Sequence, residues 1–299
     1  MASGGVDRMV KPMILDQPSQ SPGTVGLTLP VALTIAGSDS GGGAGIQADL
    51  KTFAFLNVHG TCALTCVTAQ NTLGVTQVAA MDPSLVVAQI EAVITDLGVQ
   101  SLKTGMLLTG DIMIAVGDTL SQYPKIPWVL DPVMVSRSGS KLMDDRAIGI
   151  LQSQLLPRAT LITPNRYEAE ILSGIRVTDA ASQEQAARII HDRYPTAVVL
   201  VKGGGLQGSA QGVDWWWDGQ RSQALRTETV DTPHTHGTGC TLSAAIAAFL
   251  AQGYGLWDAT LQAKIYVTQA LHHSLALGQG QGPVGHSFPI LGRDWEGSD

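Results

Sequence analysis

The chain has 299 residues, of which 44% are hydrophobic and 14% are charged, and its formal net charge is −7. This composition provides enough apolar side chains for a large core and predicts one or two globular domains. The lysines and arginines are few and scattered, which argues against nucleic-acid binding. The longest apolar runs, such as residues 242–250, are shorter than the roughly 18–20 residues of a membrane-spanning helix. We therefore expect a protein without a membrane span.

Residues 1–30 differ in composition from the rest of the chain. They are rich in glycine, serine, proline and polar residues and contain no hydrophobic segment of the kind found in signal peptides. This predicts a flexible N-terminal extension over residues 1–30. No interdomain linker interrupts the remainder, so we expect a single domain over residues 31–299.

Three cysteines occur in the chain: Cys62, Cys66 and Cys240. Three cannot all pair with one another, and Cys62 and Cys66 lack the second cysteine pair that a zinc site of this kind needs. We interpret the cysteines as reduced thiols and expect a cytoplasmic protein.

From residue 31 onward, short apolar runs alternate with segments of helical periodicity. Up to residue 130, this pattern predicts a strand over 31–36, a helix over 42–56, strands over 60–68 and 75–79, a helix over 83–96, a strand over 101–103, a helix over 111–122 and a strand over 128–130. Beyond residue 130, it predicts a helix over 144–155, a strand over 160–162, helices over 165–172 and 179–193, a strand over 197–201, and helices over 242–250 and 257–275. Between the strand over 197–201 and the helix over 242–250, the pattern of residues 213–217 and 221–226 predicts an antiparallel hairpin with Asp218-Gly219 at its turn.

Alternation of strands and helices at this spacing is typical of βαβ units. It predicts an α/β fold with a mainly parallel sheet. In such sheets, ligands bind where the carboxyl ends of the strands meet. The chemically distinctive residues that follow the predicted strands are therefore the candidates for function.

The most informative segment is HGTGCT at residues 236–241, just before an apolar helical run. Glycines at the start of a helix expose backbone N–H groups, which bind an anion together with the positive end of the helix dipole. Cys240 would lie in the first turn, where the same dipole favours the thiolate. This pairing suits phosphoryl transfer to an alcohol, although a glycine-rich turn before a core helix would have the same pattern.

A second glycine-rich loop, over residues 37–45, follows the first predicted strand. It lacks the Lys-Ser/Thr of the phosphate-binding Walker loop and the third glycine of the dinucleotide fingerprint. Its glycines still allow the backbone to approach a ligand closely. Asp49, in the helix after this loop, either leans back toward the strand ends or is a solvated helix carboxylate.

Three further residues follow predicted strands. Asp131 lies directly after a buried strand and is well placed for Mg²⁺ or a nucleotide phosphate, although Asp-Pro also opens turns. Lys202 precedes three glycines and suits a phosphate, unless it is a surface lysine in a loop. Met106 either lines the ligand crevice or fills the core.

Asn165 and Glu168 have the spacing of a helix capping box. A functional interpretation has Glu168 ordering water on Mg²⁺ and Asn165 facing a nucleotide. The two interpretations are compatible if the helix begins at the active site.

Taken together, these segments resemble the ribokinase-like superfamily and, more narrowly, the hydroxymethylpyrimidine/phosphomethylpyrimidine kinases of thiamine biosynthesis. The resemblance extends from residue 33 to about residue 289. It rests on TIAGSD at 34–39, GGAGIQADLKT at 42–52, TAQNT at 68–72, KTGML at 103–107, LDPVM at 130–134, ITPN at 162–165, KGG at 202–204 and THGTGCT at 235–241. Each segment is weak alone, but eight in this order are specific.

The resemblance implies a three-layer αβα ribokinase-like fold. It also implies a kinase that uses ATP and Mg²⁺ to phosphorylate 4-amino-5-hydroxymethyl-2-methylpyrimidine and then its monophosphate. The residues that match positions around the pyrimidine are Gly37, Asp49, Gln70, Met106 and Val133. Those that match the anion hole and the catalytic position are Gly237, Thr238, Gly239 and Cys240, and those that match the nucleotide and Mg²⁺ side are Asp131, Asn165, Glu168 and Lys202.

Ser140 departs from the family pattern, because a Gly-Asp pair is common at this point, and this leaves the detail of its loop open. Residues 136–142 are our candidate for a lid that keeps water from ATP. The sequence does not determine the oligomeric state, and a homodimer is one of the alternatives.

Two rival functions share these motifs. A pyridoxal kinase would have the same fold and glycine motif, but the Gln70 amide matches the donor and acceptor of an aminopyrimidine edge. A non-catalytic ligand-binding protein on this scaffold would have no need to keep Asp131, Lys202 and Cys240 together.

Overall fold

The computed structural model describes residues 28–134 and 143–291. The predicted lid over residues 136–142 lies outside the described residues, as does the predicted extension except for residues 28–30. Nine strands and eight α-helices are assigned within the described ranges. No described helix combines the length and the apolar character that crossing a membrane requires.

The elements follow one another along the chain largely as predicted. The strands are β1 (Val31–Asp39), β2 (His59–Asn71), β3 (Gly74–Ala80), β4 (Ser101–Thr104), β5 (Trp128–Leu130), β6 (Leu161–Ile162), β7 (Val198–Val201), β8 (Asp214–Trp217) and β9 (Ser222–Leu225). The helices are α1 (Gly45–Phe55), α2 (Pro83–Leu97), α3 (Gly110–Leu120), α4 (Asp145–Ile150), α5 (Arg166–Ser173), α6 (Ala180–Arg193), α7 (Thr238–Ala251) and α8 (Leu256–His272).

The strands form one sheet in the order β3-β2-β1-β4-β5-β6-β7-β8-β9. The six central strands, β2 through β7 in this order, are parallel. The outer strands β3, β8 and β9 are antiparallel to their neighbours. The predicted α/β class and mainly parallel sheet are therefore confirmed, as is the hairpin, whose turn residue Gly219 has a φ of +86°.

Successive residues of the central strands face two separate cores. In β1, Leu33 and Ile35 belong to the core beneath α2–α6, whereas Ala32 belongs to the core beneath α1, α7 and α8. Leu130 and Val129 of β5 divide in the same way. Both faces of the sheet are covered by helices, which confirms the predicted three-layer αβα arrangement.

Two helices beside the strand ends begin at other residues than predicted. α1 begins at Gly45, later than predicted, because the Asp39 carboxylate accepts three N–H groups of the preceding loop and holds it out of the helix. α7 begins at Thr238, earlier than predicted, and the glycine motif forms its first turn. Both differences bring backbone N–H groups to the carboxyl edge of the sheet.

The segment predicted as one helix over residues 144–155 is divided. α4 ends at Ile150 and continues as a π-helical turn over Leu151–Leu155. A short 3₁₀ turn over Leu156–Arg158 follows and contains Pro157. Because proline lacks an N–H group, it cannot continue the α-helical hydrogen bonding.

Candidate active site

The residues predicted from the strand ends meet at one edge of the sheet. Backbone hydrogen bonds continue the strand pairing past the strands: the Asp131 N–H donates to the Thr104 carbonyl at 3.0 Å, and the Lys202 N–H to the Pro164 carbonyl at 2.8 Å. These contacts place the ends of β4 and β5, and those of β6 and β7, side by side. The topology therefore joins residues that are far apart in the chain.

The N-terminus of α7 faces this edge. A Cβ atom on Gly239 would lie 3.4 Å from the Lys202 Nζ and 3.6 Å from the Asp131 Oδ2. Gly237 has a φ of +83°, and a Cβ atom there would lie 1.8 Å from the Gly43 carbonyl oxygen. The predicted anion hole thus lies against the predicted phosphate lysine, and the close contact between the two glycine-rich loops requires Gly237.

A hydrogen-bonded chain supports the anion hole from behind. The Thr241 hydroxyl donates to the Gly237 carbonyl at 2.9 Å, and the His286 Nε2 lies 2.9 Å from the same hydroxyl oxygen. Burial lowers the pKa of His286 to about 4, so the imidazole is neutral near neutral pH and its Nε2–H can donate to Thr241. The sequence offered no signal for His286, which lies far along the chain from the glycine motif.

Cys240 lies in the first turn of α7, as predicted, and it also contacts a second helix. The Gly45 N–H at the start of α1 lies close enough to its sulfur to lower the pKa of the thiol. The positive ends of two helix dipoles therefore meet at the sulfur. Burial nevertheless raises the pKa of Cys240, while the Lys103 ammonium opposes this effect. The sequence predicted that the helix dipole favours the thiolate, but the effect of burial on the pKa is larger, and the neutral thiol is favoured overall.

Asp49 does not line the open part of the site. Its side chain and that of Lys103 have no exposed surface, and the Lys103 Nζ lies 2.7 Å from both carboxylate oxygens. The Thr34 hydroxyl donates to Asp49 as well, at 2.6 Å. Burial alone would lower the pKa of Lys103, but the Asp49 carboxylate raises it above its ordinary value. The result is a sealed ion pair beneath the site, which sequence reasoning missed.

Asp131 and Glu168 provide two further carboxylates beside Lys202. The Lys202 Nζ lies 2.9 Å from Asp131, and Glu168 accepts the N–H groups of Asn165 at 2.8 Å and Met134 at 3.0 Å. The Asn165 side chain accepts from the Glu168 N–H, so the predicted capping box is present. Burial raises the pKa of Glu168 to about 7.

These two carboxylates suit a magnesium ion. Among residues 28–134 and 143–291, no group of three or more His, Cys, Asp or Glu side chains could enclose a metal. Mg²⁺ binds through one or two carboxylates and takes its other ligands from water and phosphate oxygens. Asp131 and Glu168 fit this requirement, since each is buried and lies beside the phosphate lysine.

Val133, two residues after Asp131, has a sparsely populated backbone conformation. Its φ is +44°, which a β-branched residue rarely adopts and which costs about 1–3 kcal/mol. The turn directs the next N–H group, that of Met134, onto Glu168. Val133, which the sequence assigned to the pyrimidine side, therefore also shapes the carboxylate side.

The other residues assigned to the pyrimidine side lie near the ends of β1, β2 and β4. A Cβ atom on Gly37 would lie 2.5 Å from the Cys66 sulfur and 2.9 Å from the Met106 Cε, so any larger residue would displace these side chains. Gln70 is half-buried near the end of β2, which is longer than predicted. Its Oε1 accepts from the Thr68 hydroxyl at 3.2 Å.

His236 connects Gln70 to the loop before α1. The His236 Nε2 lies 2.9 Å from the Asp39 Oδ2 and 3.5 Å from the Gln70 Nε2. Asp39 is buried and organises its own loop through the N–H groups of Gly41, Gly43 and Ala44. Sequence reasoning did not select Asp39, although it lies within one of the matched segments.

A cavity of about 320 Å³ opens beside the anion hole. Asn165, Lys202 and Gly239 line it on the side of the site, and Lys264 and Leu271 of α8 on the other. Lys264 pairs with Asp214 at 2.8 Å. The two lie fifty residues apart, so their spacing in the sequence did not reveal the pair.

Comparisons with known proteins identify the family of this chain. The sequence profile of a family described as phosphomethylpyrimidine kinase matches residues 39–285. A hydroxymethylpyrimidine/phosphomethylpyrimidine kinase of Synechococcus elongatus is 61% identical over 265 residues, which cover 89% of this chain and 100% of the relative.

Solved structures share the same fold. The ADP complex of Bacillus subtilis pyridoxal kinase superposes with a TM-score of 0.82 at 40% identity and covers 88% of this chain and 100% of its own. A phosphomethylpyrimidine kinase from Clostridium difficile has a TM-score of 0.72 at 38% identity and covers 81% and 99%. Since the profile spans most of the chain and the Synechococcus relative aligns along its whole length, this protein belongs to the phosphomethylpyrimidine kinase family.

Proposed function

We propose that this protein is an ATP-dependent kinase of thiamine biosynthesis. It phosphorylates 4-amino-5-hydroxymethyl-2-methylpyrimidine and then the resulting monophosphate. The observation that carries the proposal is the position of Gly239, at a helix N-terminus that faces the Lys202–Asp131 pair and borders a 320 Å³ cavity. The names of its relatives support the pyrimidine substrate, and the ADP complex of a structural neighbour supports the nucleotide.

The cavity is our candidate for the nucleotide site. Lys202 would bind the β- and γ-phosphates, and Asn165 would face the nucleotide beside it. When bound, Mg²⁺ would be held by Asp131 and Glu168 and would neutralise charge on the phosphates. Lys202 both contacts Asp131 and lines the cavity, so its ammonium could exchange the contact with Asp131 for one with a phosphate oxygen.

Phosphoryl transfer needs positioning and charge stabilisation more than covalent chemistry. The backbone amides over residues 237–240 would stabilise the charge that develops on the transferred group. Cys240, in its thiolate form, would accept the hydroxymethyl proton. Because burial raises the pKa of its thiol, little thiolate is present near neutral pH, and we expect the charges around Cys240 to govern this step.

The pyrimidine would bind on the other side of the anion hole. The Gln70 amide offers a donor and an acceptor for the amino group and a ring nitrogen of the substrate. Gly37, Met106 and Val133 would enclose the ring, and Asp49 would act from beneath through Lys103. His236 would hold Gln70 in place relative to the glycine motif.

ATP consumption tests this function directly. The purified protein is given ATP and Mg²⁺ with hydroxymethylpyrimidine, with pyridoxine, or with neither. We expect turnover to depend on hydroxymethylpyrimidine and to be slower with pyridoxine. Preference for pyridoxine would favour the activity named for the Bacillus subtilis neighbour, and the absence of turnover with both alcohols would indicate a non-catalytic role.

A further inference from the structure

Lys103 and Asp49 form an unusual ion pair, because neither side chain has any exposed surface. The ammonium contacts both carboxylate oxygens at 2.7 Å, and Thr34 donates a further hydrogen bond to the carboxylate. Replacing a buried ion pair by apolar residues is often neutral or stabilising. A contribution to stability is therefore a weak explanation for two opposite charges at this point. Their location suggests an electrostatic effect on the site instead.

The pair lies one helical turn from a backbone group that acts on Cys240. Asp49 is four residues after Gly45, so both lie on the same face of α1. The Gly45 N–H lies close enough to the Cys240 sulfur to lower the pKa of the thiol, and Asp49 lies about one turn further along that face. Lys103 reaches Asp49 from β4, and β4 contacts α7 through the Ser101 hydroxyl, which donates to the Ala247 carbonyl.

Four charged groups act on Cys240 from the elements packed around it. They are Lys103 on β4, Asp49 on α1, Asp131 after β5 and Lys202 after β7. Asp131 and Lys202 contact each other at 2.9 Å, and their opposite charges partly cancel. Lys103 is the group that most strongly favours the thiolate, whereas Asp49 and Asp131 disfavour it. The sealed pair therefore contains one group that favours the thiolate and one that disfavours it.

We propose that Lys103 is a positioning residue that acts through Cys240, and that its buried charge, moderated by Asp49, sets how readily the thiol loses and regains its proton. In the phosphoryl transfer, the thiol would first lose its proton, and the resulting Cys240 thiolate would take the proton of the substrate O–H group as that bond breaks. The substrate oxygen would bond to the γ-phosphorus while the bond from this phosphorus to the β,γ-bridging oxygen breaks and ADP leaves. This catalytic consequence rests on the proposed function. The control of the thiol by the pair does not.

The test uses two substitutions with opposite predicted signs. Lys103→Met removes the positive charge, so the titration midpoint of Cys240 should rise by about 1 pH unit or more. Asp49→Asn removes the negative charge and leaves the lysine, so the midpoint should fall. The rate of Cys240 alkylation by iodoacetamide is measured against pH on the full chain, with mass spectrometry of the Cys240 peptide to separate it from Cys62 and Cys66.

Each single variant leaves one buried charge unpaired and can lose its fold, so circular dichroism is recorded at every pH. The double variant, Lys103→Met with Asp49→Asn, removes both charges, and its midpoint should lie between those of the single variants. Shifts of opposite sign in folded protein support the proposal. Shifts of the same sign in the two single variants would overturn it. It would also be overturned if Asp49→Asn were folded and shifted but the double variant had the same midpoint as Lys103→Met.

Turnover separates this inference from the proposed function. The pH dependence of kcat for hydroxymethylpyrimidine should move in the same direction as the alkylation midpoint in each folded variant. If the wild-type protein does not use this substrate, the proposed function fails while the alkylation result still decides the role of the pair. If alkylation is unchanged in every folded variant, the role of the pair fails even for an active kinase.

Discussion

Two lysine–carboxylate pairs lie at neighbouring strand ends of this protein and differ in their access to solvent. Lys103 and Asp49 are sealed, with 0% exposure of both side chains, whereas Lys202 and Asp131 retain 13% and 5% and Lys202 borders the cavity. A sealed pair can act on the site only through its electric field. A pair beside a cavity can change partners when a ligand enters. The same two residue types therefore serve different purposes according to the packing around them.

The largest expected effect concerns the access of a phosphate group to Lys202 and Asp131. Gly239→Val would place methyl groups beyond a Cβ position that already lies 3.4 Å from the Lys202 Nζ and 3.6 Å from Asp131. We expect kcat to fall by about 10³-fold or more, since losing a single anion-hole donor already costs about 10²–10³-fold. Steady-state kinetics measure the loss, and circular dichroism checks the fold.

Gly255→Val is the matched control for this change. Gly255 precedes α8 at an ordinary φ of −65°, and a Cβ atom there meets nothing within 4 Å. It should remain nearly as active as the wild-type protein. Similar losses in both variants would mean that a glycine at a helix start matters here only for folding.

Cys240 is influenced by the charges of both pairs, and its replacement tests whether the chemistry needs a proton acceptor. Cys240→Ala should lower kcat by roughly 10²–10⁴-fold, the usual contribution of a positioned base, with little change in substrate affinity. Single-turnover kinetics show whether chemistry limits the rate. If a variant with rate-limiting chemistry kept more than about a third of the wild-type kcat, positioning by the two pairs alone would suffice.

Stability should distinguish the pairs most directly. Lys103→Met leaves a fully buried carboxylate without its partner, which costs about 3–5 kcal/mol. Lys202→Met leaves Asp131, which keeps 5% exposure, beside a side chain that lines the cavity, so we expect the smaller cost of about 1–3 kcal/mol that is typical of an unsatisfied buried group. Urea unfolding at one pH compares the two variants. Equal losses would show that the sealed and cavity-facing pairs do not differ as the exposures suggest.

The smallest of these effects concerns the choice of substrate at the proposed pyrimidine site, which Gln70 would line. Gln70→Met keeps the side-chain volume but removes both hydrogen-bonding groups. We expect kcat/KM for hydroxymethylpyrimidine to fall roughly ten- to a few hundred-fold, in line with the cost of about 1–3 kcal/mol for an unpaired polar group. Turnover of pyridoxine should fall much less or rise. Parallel kinetics on both alcohols measure this, and equal losses would assign Gln70 to structure, for example to its contacts with Thr68 and His236.

The order of elements and the convergence of the strand-end residues followed from the sequence. Short apolar runs such as β5 and β7 have to be buried on both faces, and parallel strands bring their carboxyl ends to one edge. Asp131 and Lys202 could therefore be expected to meet without knowledge of the contacts between them. Asn165 and Glu168 were equally local, because a capping box depends on residues only three positions apart.

The starts of α1 and α7 were less predictable. α1 starts late because the Asp39 carboxylate, which also contacts His236, captures the loop amides. α7 starts early because Gly237 packs against the carbonyl of Gly43 in the other loop. In both cases, a contact between distant segments decides which residue opens the helix, and no local pattern contains that information.

Only the tertiary structure decided the electrostatics of the site. The sequence left Asp49 either leaning back toward the strand ends or solvated on its helix, and it predicted that the helix dipole favours the Cys240 thiolate. In the fold, Asp49 is sealed against Lys103, and burial raises the pKa of Cys240 despite two helix N-termini. The sequence determines which charges a strand end carries, but the ionisation of a group depends on desolvation and on the charges within a few ångströms of it, and packing alone sets both.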